Sequence, residues 1–378
     1  MEDYRKKIDE VDGKLLASFI ERMGIAADIG RYKKEHHRSV MDKKREREKL
    51  FNIISESPEE MKRYTPILFS LLFEMSRNYQ QRIIGIDTEL TEKISGAIEN
   101  TPKLFPAGVN VACQGAEGAN SQIAADKLFK NANIMYFSNF EAVFKAVEQG
   151  FCRYGVVPVE NSTAGSVNSV YDLMMDHHFY ITRSIRLKVD HNLLARPGVK
   201  LEDIKEIYSH EQALNQCSEF LSRLEGVKLI PVENTATAAR MVSESEDMHI
   251  AALASRSCAD YYSLNCLWPS VQDKDNNYTR FICISKDLEI YPGADRTSLM
   301  VILPHEAGSL YKLLSRFYAL DINLNKLESR PLPEREFEFM FYFDLDTPVY
   351  SKELLELLAE LPETVEEFHY LGSYSEVV

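Results

Sequence analysis

Residues 3–36 contain no proline, and Ile8, Val11, Leu15, Phe19, Met23 and Ile29 recur there at helical spacing. From Val109 the pattern changes. Short β-rich runs (VNVACQG, RYGVVPVE, YITRSIRL, DIKEIYSH, VKLIPVE, HIAALAS, TRFICIS) alternate with helical segments to about Lys286. One layer architecture does not accommodate both patterns, so the 378 residues divide into several domains. The first, residues 1–86, is all-α. Gly13, Gly24 and Gly30 each weaken its long helix by ~1 kcal/mol, so packing must hold it. Asp42 reads as the cap of a second helix to about Ser57. Thr65 and Pro66 read as N-cap and N1 of a third, to about Ile84. Three helices in this length make a thin core that a second chain would complete.

Residues 87–107, ending in NTPKLFPAG, read as a linker. Residues 108–286 form an α/β domain whose alternation restarts with a new strand near His191–Ala195, which predicts two lobes with a cleft. Residues 297–376 read strand, helix, strand, strand, helix, strand, the α+β ferredoxin-like order. This block has the size of a regulatory module and no obvious catalytic cluster.

The net charge of -14 is uneven: residues 1–85 hold 18 Lys/Arg against 15 Asp/Glu, or +3, which leaves -17 for the rest. A mildly basic block on an acidic chain points to an anionic small ligand or partner. The small excess and interleaved acidic residues argue against nucleic acid. Six cysteines without C-x-x-C spacing read as reduced thiols. MEDYRKKIDE has no apolar signal-peptide core, and no apolar run approaches the ~18 residues of a membrane span. A cytoplasmic protein away from membranes is expected.

Residues 39–50 read SVMDKKREREKL, eight of the twelve charged. Such a run is by default a solvated helix face. Here Asp42, Arg45 and Glu46 share one face at i, i+3, i+4, and Ser76 and Gln80 share a face of the otherwise apolar third helix. Arg22 and Lys33, eleven residues apart on the first helix, lie on one face roughly 16 Å apart. With Arg5, these eight residues resemble the site of the all-helical chorismate mutases, over residues 4–80. The resemblance implies Arg22 and Arg5 as clamps on the carboxylates of chorismate, through the bidentate contacts arginine makes. It implies Lys33 and Gln80 as donors to the breaking ether oxygen and Glu46 on the ring hydroxyl. Asp42 and Arg45 would position around it, with Ser76 in the same site. The rearrangement to prephenate is pericyclic and needs no nucleophile, metal or proton transfer. Holding the compact diaxial substrate and stabilising charge on the ether oxygen are what a protein can contribute. Arg5 and Lys33 are roughly 42 Å apart along one helix, so Arg5 either comes from another chain or is structural. A homodimer with exchanged helices, or a higher oligomer, is expected.

The middle domain resembles the prephenate dehydratases through GAEGANS (115–121), VPVENSTAGSV (157–167), YSHEQALNQC (208–217), ENTATAA (233–239), AALAS (251–255) and NYTRF (277–281). The resemblance implies a two-lobed, periplasmic-binding-protein-like fold and loss of water and carbon dioxide from prephenate to give phenylpyruvate. It implies Thr279 as the donor at the leaving hydroxyl, a positioned donor rather than a classical general acid. Asn161, Ser162 and Thr163 in one loop, and Ser209, His210 and Gln212 in another, suit the carboxylates. Arg280 would face the other side of a regular strand and is either a substrate ligand or a structural ion pair. Adjacent His177 and His178 have poor geometry for a metal, and no Walker lysine or dinucleotide pattern follows GAEG. No metal and no cofactor are expected. Asn120 stands where the family usually has an aromatic, so a weakened or arogenate-preferring dehydratase is the alternative reading.

The last block resembles the ACT amino-acid sensors at GSL (308–310) and ESRP (328–331). The resemblance implies Gly308, Ser309, Leu310, Glu328, Ser329 and Arg330 as a site for L-phenylalanine between paired copies. The whole reads as a bifunctional enzyme of phenylalanine biosynthesis, turning chorismate into phenylpyruvate under feedback inhibition.

Overall fold

In the computed structural model the described residues are 1–85, 88–332, 335 and 338–377, with Lys43 and Glu363 described by backbone alone. The boundary expected between residues 86 and 87 lies outside them. Helix α1 (Glu2–Glu35) carries Glu2 and Asp3 in its first turn and Lys33 and Lys34 in its last, charges that suit the helix dipole. Helix α2 (Lys43–Glu56) is capped by Asp42, whose carboxylate accepts from the Arg45 N–H at 2.9 Å. Helix α3 (Thr65–Ile84) has Pro66 in its first turn and stops at Gly85, φ 116°. Gly30 has a packing reason: a Cβ there would sit 3.1 Å from the Gln80 Cα, so α1 and α3 meet at that point.

The expected linker holds a helix instead, α4 (Glu89–Asn100), with Ile94 fully buried. Its Leu90, Ile94, Ala97 and Ile98 fall at helical spacing, a signal masked by the polar residues between them.

The first lobe of the α/β region runs β1 (Asn110–Gln114), α5 (Asn120–Leu128), β2 (Asn133–Phe137), α6 (Phe140–Glu148), β3 (Tyr154–Asn161), β4 (Gly165–Ser166), α7 (Asn168–His177) and β5 (Tyr180–Lys188). The second lobe runs β6 (Asn192–Ala195), β7 (Glu206–Ser209), α8 (Glu211–Gln216), α9 (Ser218–Leu221), β8 (Lys228–Pro231), α10 (Thr235–Glu244), β9 (Ile250–Ala254), α11 (Arg256–Tyr261) and β10 (Asn265–Trp268). The chain then returns to the first lobe as β11 (Tyr278–Ser285) and continues as β12 (Arg296–Ile302), α12 (Ser309–Ala319), β13 (Asn323–Pro331), β14 (Phe339–Asp346), α13 (Lys352–Thr364) and β15 (Glu367–Val377). No helix among the described residues is long and apolar enough to cross a membrane.

Two compact units result. One gathers Met1–Lys93, Tyr311–Asp321 and Tyr350–Glu366; the other gathers Ile94–Leu310, Ile322–Val349 and Glu367–Val378. The ferredoxin-like block, expected to stand by itself, is therefore divided. Its helices join α3, and its strands join the α/β sheet. In the helical unit, the buried Glu74 of α3 pairs with Arg316 of α12 at 2.5 Å, and Arg82 pairs with Glu356 of α13 at 2.8 Å.

In the α/β unit the second lobe is a five-stranded sheet, β10-β6-β9-β7-β8. The other sheet has the order β13-β14-β12-β15-β5-β11-β3-β1-β2, with β4 on β3. Its first four strands have the ferredoxin-like order. The junction is β15, antiparallel to β12 and then parallel to β5 through Ser375–Val377. Gly372 sits at this transfer with φ 124°, and a Cβ there would lie 2.6 Å from the Ile181 carbonyl oxygen. Neither the backbone angle nor the space suits an L side chain.

Gly372→Ala is therefore expected to destabilise the α/β unit by ~1–3 kcal/mol, read as a lower thermal midpoint. An unchanged midpoint would mean that β15 leaves β5 without cost.

Candidate active sites

Within the helical unit, α1 and α3 bring Arg22 and Ser76 into contact. Arg22 Nη1 donates to the Leu72 carbonyl at 2.9 Å and to the Ser76 hydroxyl, and its guanidinium lies over the Phe73 ring. Burial pushes Arg22 below its ordinary pKa, and the charge of Glu46 opposes that. Lys33 lies one turn past Gly30, and its Nζ donates to the Val40 carbonyl at 2.6 Å. Gln80 is buried, and its Oε1 has no hydrogen-bond partner among the described residues. Asp42 caps α2, with the exposed Arg45 and half-buried Glu46 in the following turn. Arg5 is exposed near the far end of α1, on a stretch that also exposes Ile8, Val11, Leu15 and Ile20 by half or more. One residue at this site escaped the sequence reading. Arg77 of α3 donates to both Glu46 oxygens, at 2.5 and 2.6 Å. Its signal was a charge next to Ser76 in a largely apolar helix.

The second site lies between the lobes of the α/β unit, at a cleft of about 380 Å³ lined by Thr163, Ala164, His210, Glu211, Gln212, Asn215 and Gln216. Thr279 lies on β11, paired to Asn161 of β3 and Leu187 of β5, and is 9% exposed. Its hydroxyl oxygen accepts from Asn161 Nδ2 at 2.9 Å, and the same amide donates to Asn277 at 2.8 Å. The Asn161 carbonyl oxygen accepts from the N–H groups of Thr163 and Ala164 and from the Thr163 hydroxyl. Those three donors fix which way the amide points. With one acceptor site of Thr279 filled, its own O–H is left to donate elsewhere. Gln216 extends the network, donating to Thr163 at 2.7 Å and accepting from Asn277 at 3.0 Å. It also meets the buried His191, whose pKa burial lowers. Gln216, Asn277 and His191 were not singled out from sequence, because only the fold makes neighbours of loops about sixty residues apart.

The other expected residues separate. Ser162 ties its loop to the 276–278 backbone, at 2.6 and 2.9 Å. His210 caps α8 at the cleft rim, its Nδ1 accepting from the Gln212 N–H. Ser209 is fully buried and donates to the Leu253 carbonyl, so it faces away from the cleft. Of the two readings of Arg280, the arrangement matches the structural ion pair. Arg280 lies on the opposite strand face, buried against Asp344, Tyr374 at 3.0 Å and Glu376 at 3.1 Å. Burial works against its charge, but Tyr374 and Asp344 outweigh it and raise its pKa. Asn120 opens α5 and is half-buried.

Gly308, with φ 88°, precedes Ser309 and Leu310 at the start of α12. On β13 the sequence alternates faces. Lys326 reaches Glu160, Glu328 accepts from Ser166, and Arg330 grips Asp172 with two bonds, while Ser329 between them is exposed.

Family models for chorismate mutase type II and for prephenate dehydratase match residues 4–81 and 111–289. The chain is 31% identical over 378 residues to a bifunctional chorismate mutase/prephenate dehydratase of Escherichia coli K12, covering 98% of this chain and 95% of that one. It is 38% identical over 283 residues to the chloroplastic arogenate dehydratase/prephenate dehydratase 1 of Arabidopsis thaliana, covering 70% of this chain and 72% of that one. A crystal structure of a prephenate dehydratase from Arthrobacter aurescens in complex with L-Phe superposes with a TM-score of 0.64 at 28% identity, over 71% of this chain and 90% of that one.

Removing one partner of the buried Arg280–Asp344 pair is expected to cost ~3–5 kcal/mol, and replacing both by apolar residues much less. Thermal midpoints of Arg280→Met, Asp344→Leu and the double variant test this. A double variant as unstable as the sum of the singles would contradict it.

Proposed function

The chain belongs to the bifunctional chorismate mutase/prephenate dehydratase family, and we propose that its two reactions run at the two sites described above. It rearranges chorismate to prephenate, then dehydrates and decarboxylates prephenate to phenylpyruvate. For the first reaction, Arg22 clamps a substrate carboxylate, Lys33 and Gln80 face the ether oxygen, Glu46 takes the ring hydroxyl, and Ser76, Asp42 and Arg45 shape the site around them. The mutase comprises residues 1–86 in this reading. The exposed apolar face of α1 and the distance to Arg5 favour a homodimer in which Arg5 serves the partner's site.

The observation that carries the dehydratase reading is the Asn161–Thr279 hydrogen bond, in which the Thr279 oxygen accepts and its own O–H is left to donate. In residues 108–286, Thr279 donates to the leaving hydroxyl, and aromatisation drives loss of carbon dioxide. Asn161, Ser162, Thr163, His210 and Gln212 surround the substrate. Residues 297–376 act as an ACT sensor for L-phenylalanine at Gly308, Ser309, Leu310, Glu328, Ser329 and Arg330. The L-Phe complex of the Arthrobacter relative supports this. The plant relative's name and Asn120 favour a second reading, in which the dehydratase prefers arogenate. Six free cysteines support the cytoplasm as its compartment.

Incubation with chorismate, with and without L-phenylalanine, tests the whole assignment. Phenylpyruvate that falls on adding phenylalanine is expected; accumulating prephenate would point to the arogenate reading. Arg22→Ala should abolish chorismate turnover while added prephenate is still consumed, and Thr279→Ala should do the reverse. Retained phenylpyruvate formation by the latter would remove Thr279 from its role. Mixed after dissociation, Arg5→Ala and Arg22→Ala chains should regain up to about a quarter of wild-type mutase activity, because half the dimers are hybrids with one intact site. No recovery would make Arg5 structural.

A further inference from the structure

Among the described residues, the carboxylate assigned to the ring hydroxyl is gripped by a residue outside the expected mutase set. Arg77 Nη1 lies 2.5 and 2.6 Å from the two Glu46 oxygens, and the pair is largely withdrawn from solvent, with the two side chains 14% and 31% exposed. An ionised carboxylate has about four acceptor positions, so two bonds to Arg77 leave Glu46 able to accept from a substrate hydroxyl. Glu46 also acts on Arg22, raising its pKa against the effect of burial. Glu46 thus bonds to Arg77 of α3 and lies within electrostatic reach of Arg22, the residue expected to hold substrate.

We propose that Arg77 is a positioning residue of the mutase site, acting only through Glu46. It holds that carboxylate toward the ring hydroxyl. Without Arg77, the Glu46 carboxylate is no longer held toward the ring hydroxyl. The predicted signature is a raised KM together with a lowered kcat.

Arg77 also borders the C-terminal helices. A narrow cavity, with room for about one water, is lined by Arg77, Asn78, Arg316, Glu360 and Thr364. Arg316 is anchored by Glu74 and by Thr364 at 2.6 Å. Glu360 is the other carboxylate facing Arg77, and burial raises its pKa to about 7. Near neutrality it is a weaker competitor for Arg77 than the half-exposed Glu46.

The inference rests on Glu46 belonging to the mutase site, and a double-variant cycle separates the two claims. Chorismate kinetics are compared for Glu46→Gln, Arg77→Met, Arg77→Lys and Glu46→Gln/Arg77→Met, with helicity by circular dichroism and the thermal midpoint checking that the helical unit of each is folded. Arg77→Met is expected to lose on the order of 10-fold or more in kcat/KM. Arg77→Lys should recover part of that loss. The double variant should fall no further than Glu46→Gln alone. Losses that multiply, or full activity in Arg77→Met, would overturn the role of Arg77. Full activity in Glu46→Gln would instead remove Glu46 from the site.

Discussion

The α/β unit depends on a buried arginine. Arg280 brings a guanidinium into the interior, and Asp344, Tyr374 and Glu376 hold it there. Burying such a charge is tolerable only with partners that answer it. Those partners come from β14 and β15, far along the chain from β11. Glu376 also meets Arg186 of β5 and Arg296 of β12, at 3.2 and 3.0 Å. The charge network therefore binds the C-terminal strands to the lobe that carries Thr279. Neighbouring residues of one strand divide the work. Thr279 lies with Asn161 and the cleft network, and Arg280 is locked into the C-terminal sheet. A shift of that sheet would act on β11 one residue away from the hydroxyl.

A second contact has the same character. On β13, Glu328 and Arg330 bond to Ser166 and Asp172 of the first lobe. A ligand that engaged the ESRP residues would have to contend with these bonds. In the helical unit, Glu74–Arg316 and Arg82–Glu356 tie α12 and α13 to the helix that carries Ser76 and Gln80. The C-terminal residues thus reach both reacting regions through charged side chains, and in the α/β unit also through a shared apolar core in which Met300, Tyr342 and Leu371 join Val157, Tyr171 and Ile282.

What was legible in the sequence was local. Asp42 as a cap, Pro66 at a helix start, the β-rich runs and the βαββαβ order are set by neighbours within a few residues, and the observed elements lie within a residue or two of those positions for the three N-terminal helices. The TRF motif and the face of Arg280 were legible from motif and strand alternation, but the arginine's partner Asp344 lies 64 residues away. Ser209 could not be told from a cleft residue, because its partner is the Leu253 carbonyl, 44 residues on. Arg77 was not singled out, because its partner Glu46 lies on α2, 31 residues away. The helix at Glu89–Asn100 was hidden by polar residues on its outer face. The division of the C-terminal block between two units depends on contacts between distant segments, which no local pattern encodes.

The pairing of Ser375–Val377 with Arg183–Ile185 also sets an order of events during synthesis. Ser184 leaves the ribosome 192 residues before Glu376. Until then the outer edge of β5 lacks the partner it has in the finished sheet, and Arg280 waits in a lobe without its carboxylates. An open strand edge invites pairing with the wrong chain, and long waits for distant partners expose nascent proteins to aggregation. The chain is thus most vulnerable in the interval between the emergence of its dehydratase residues and the arrival of its final strand.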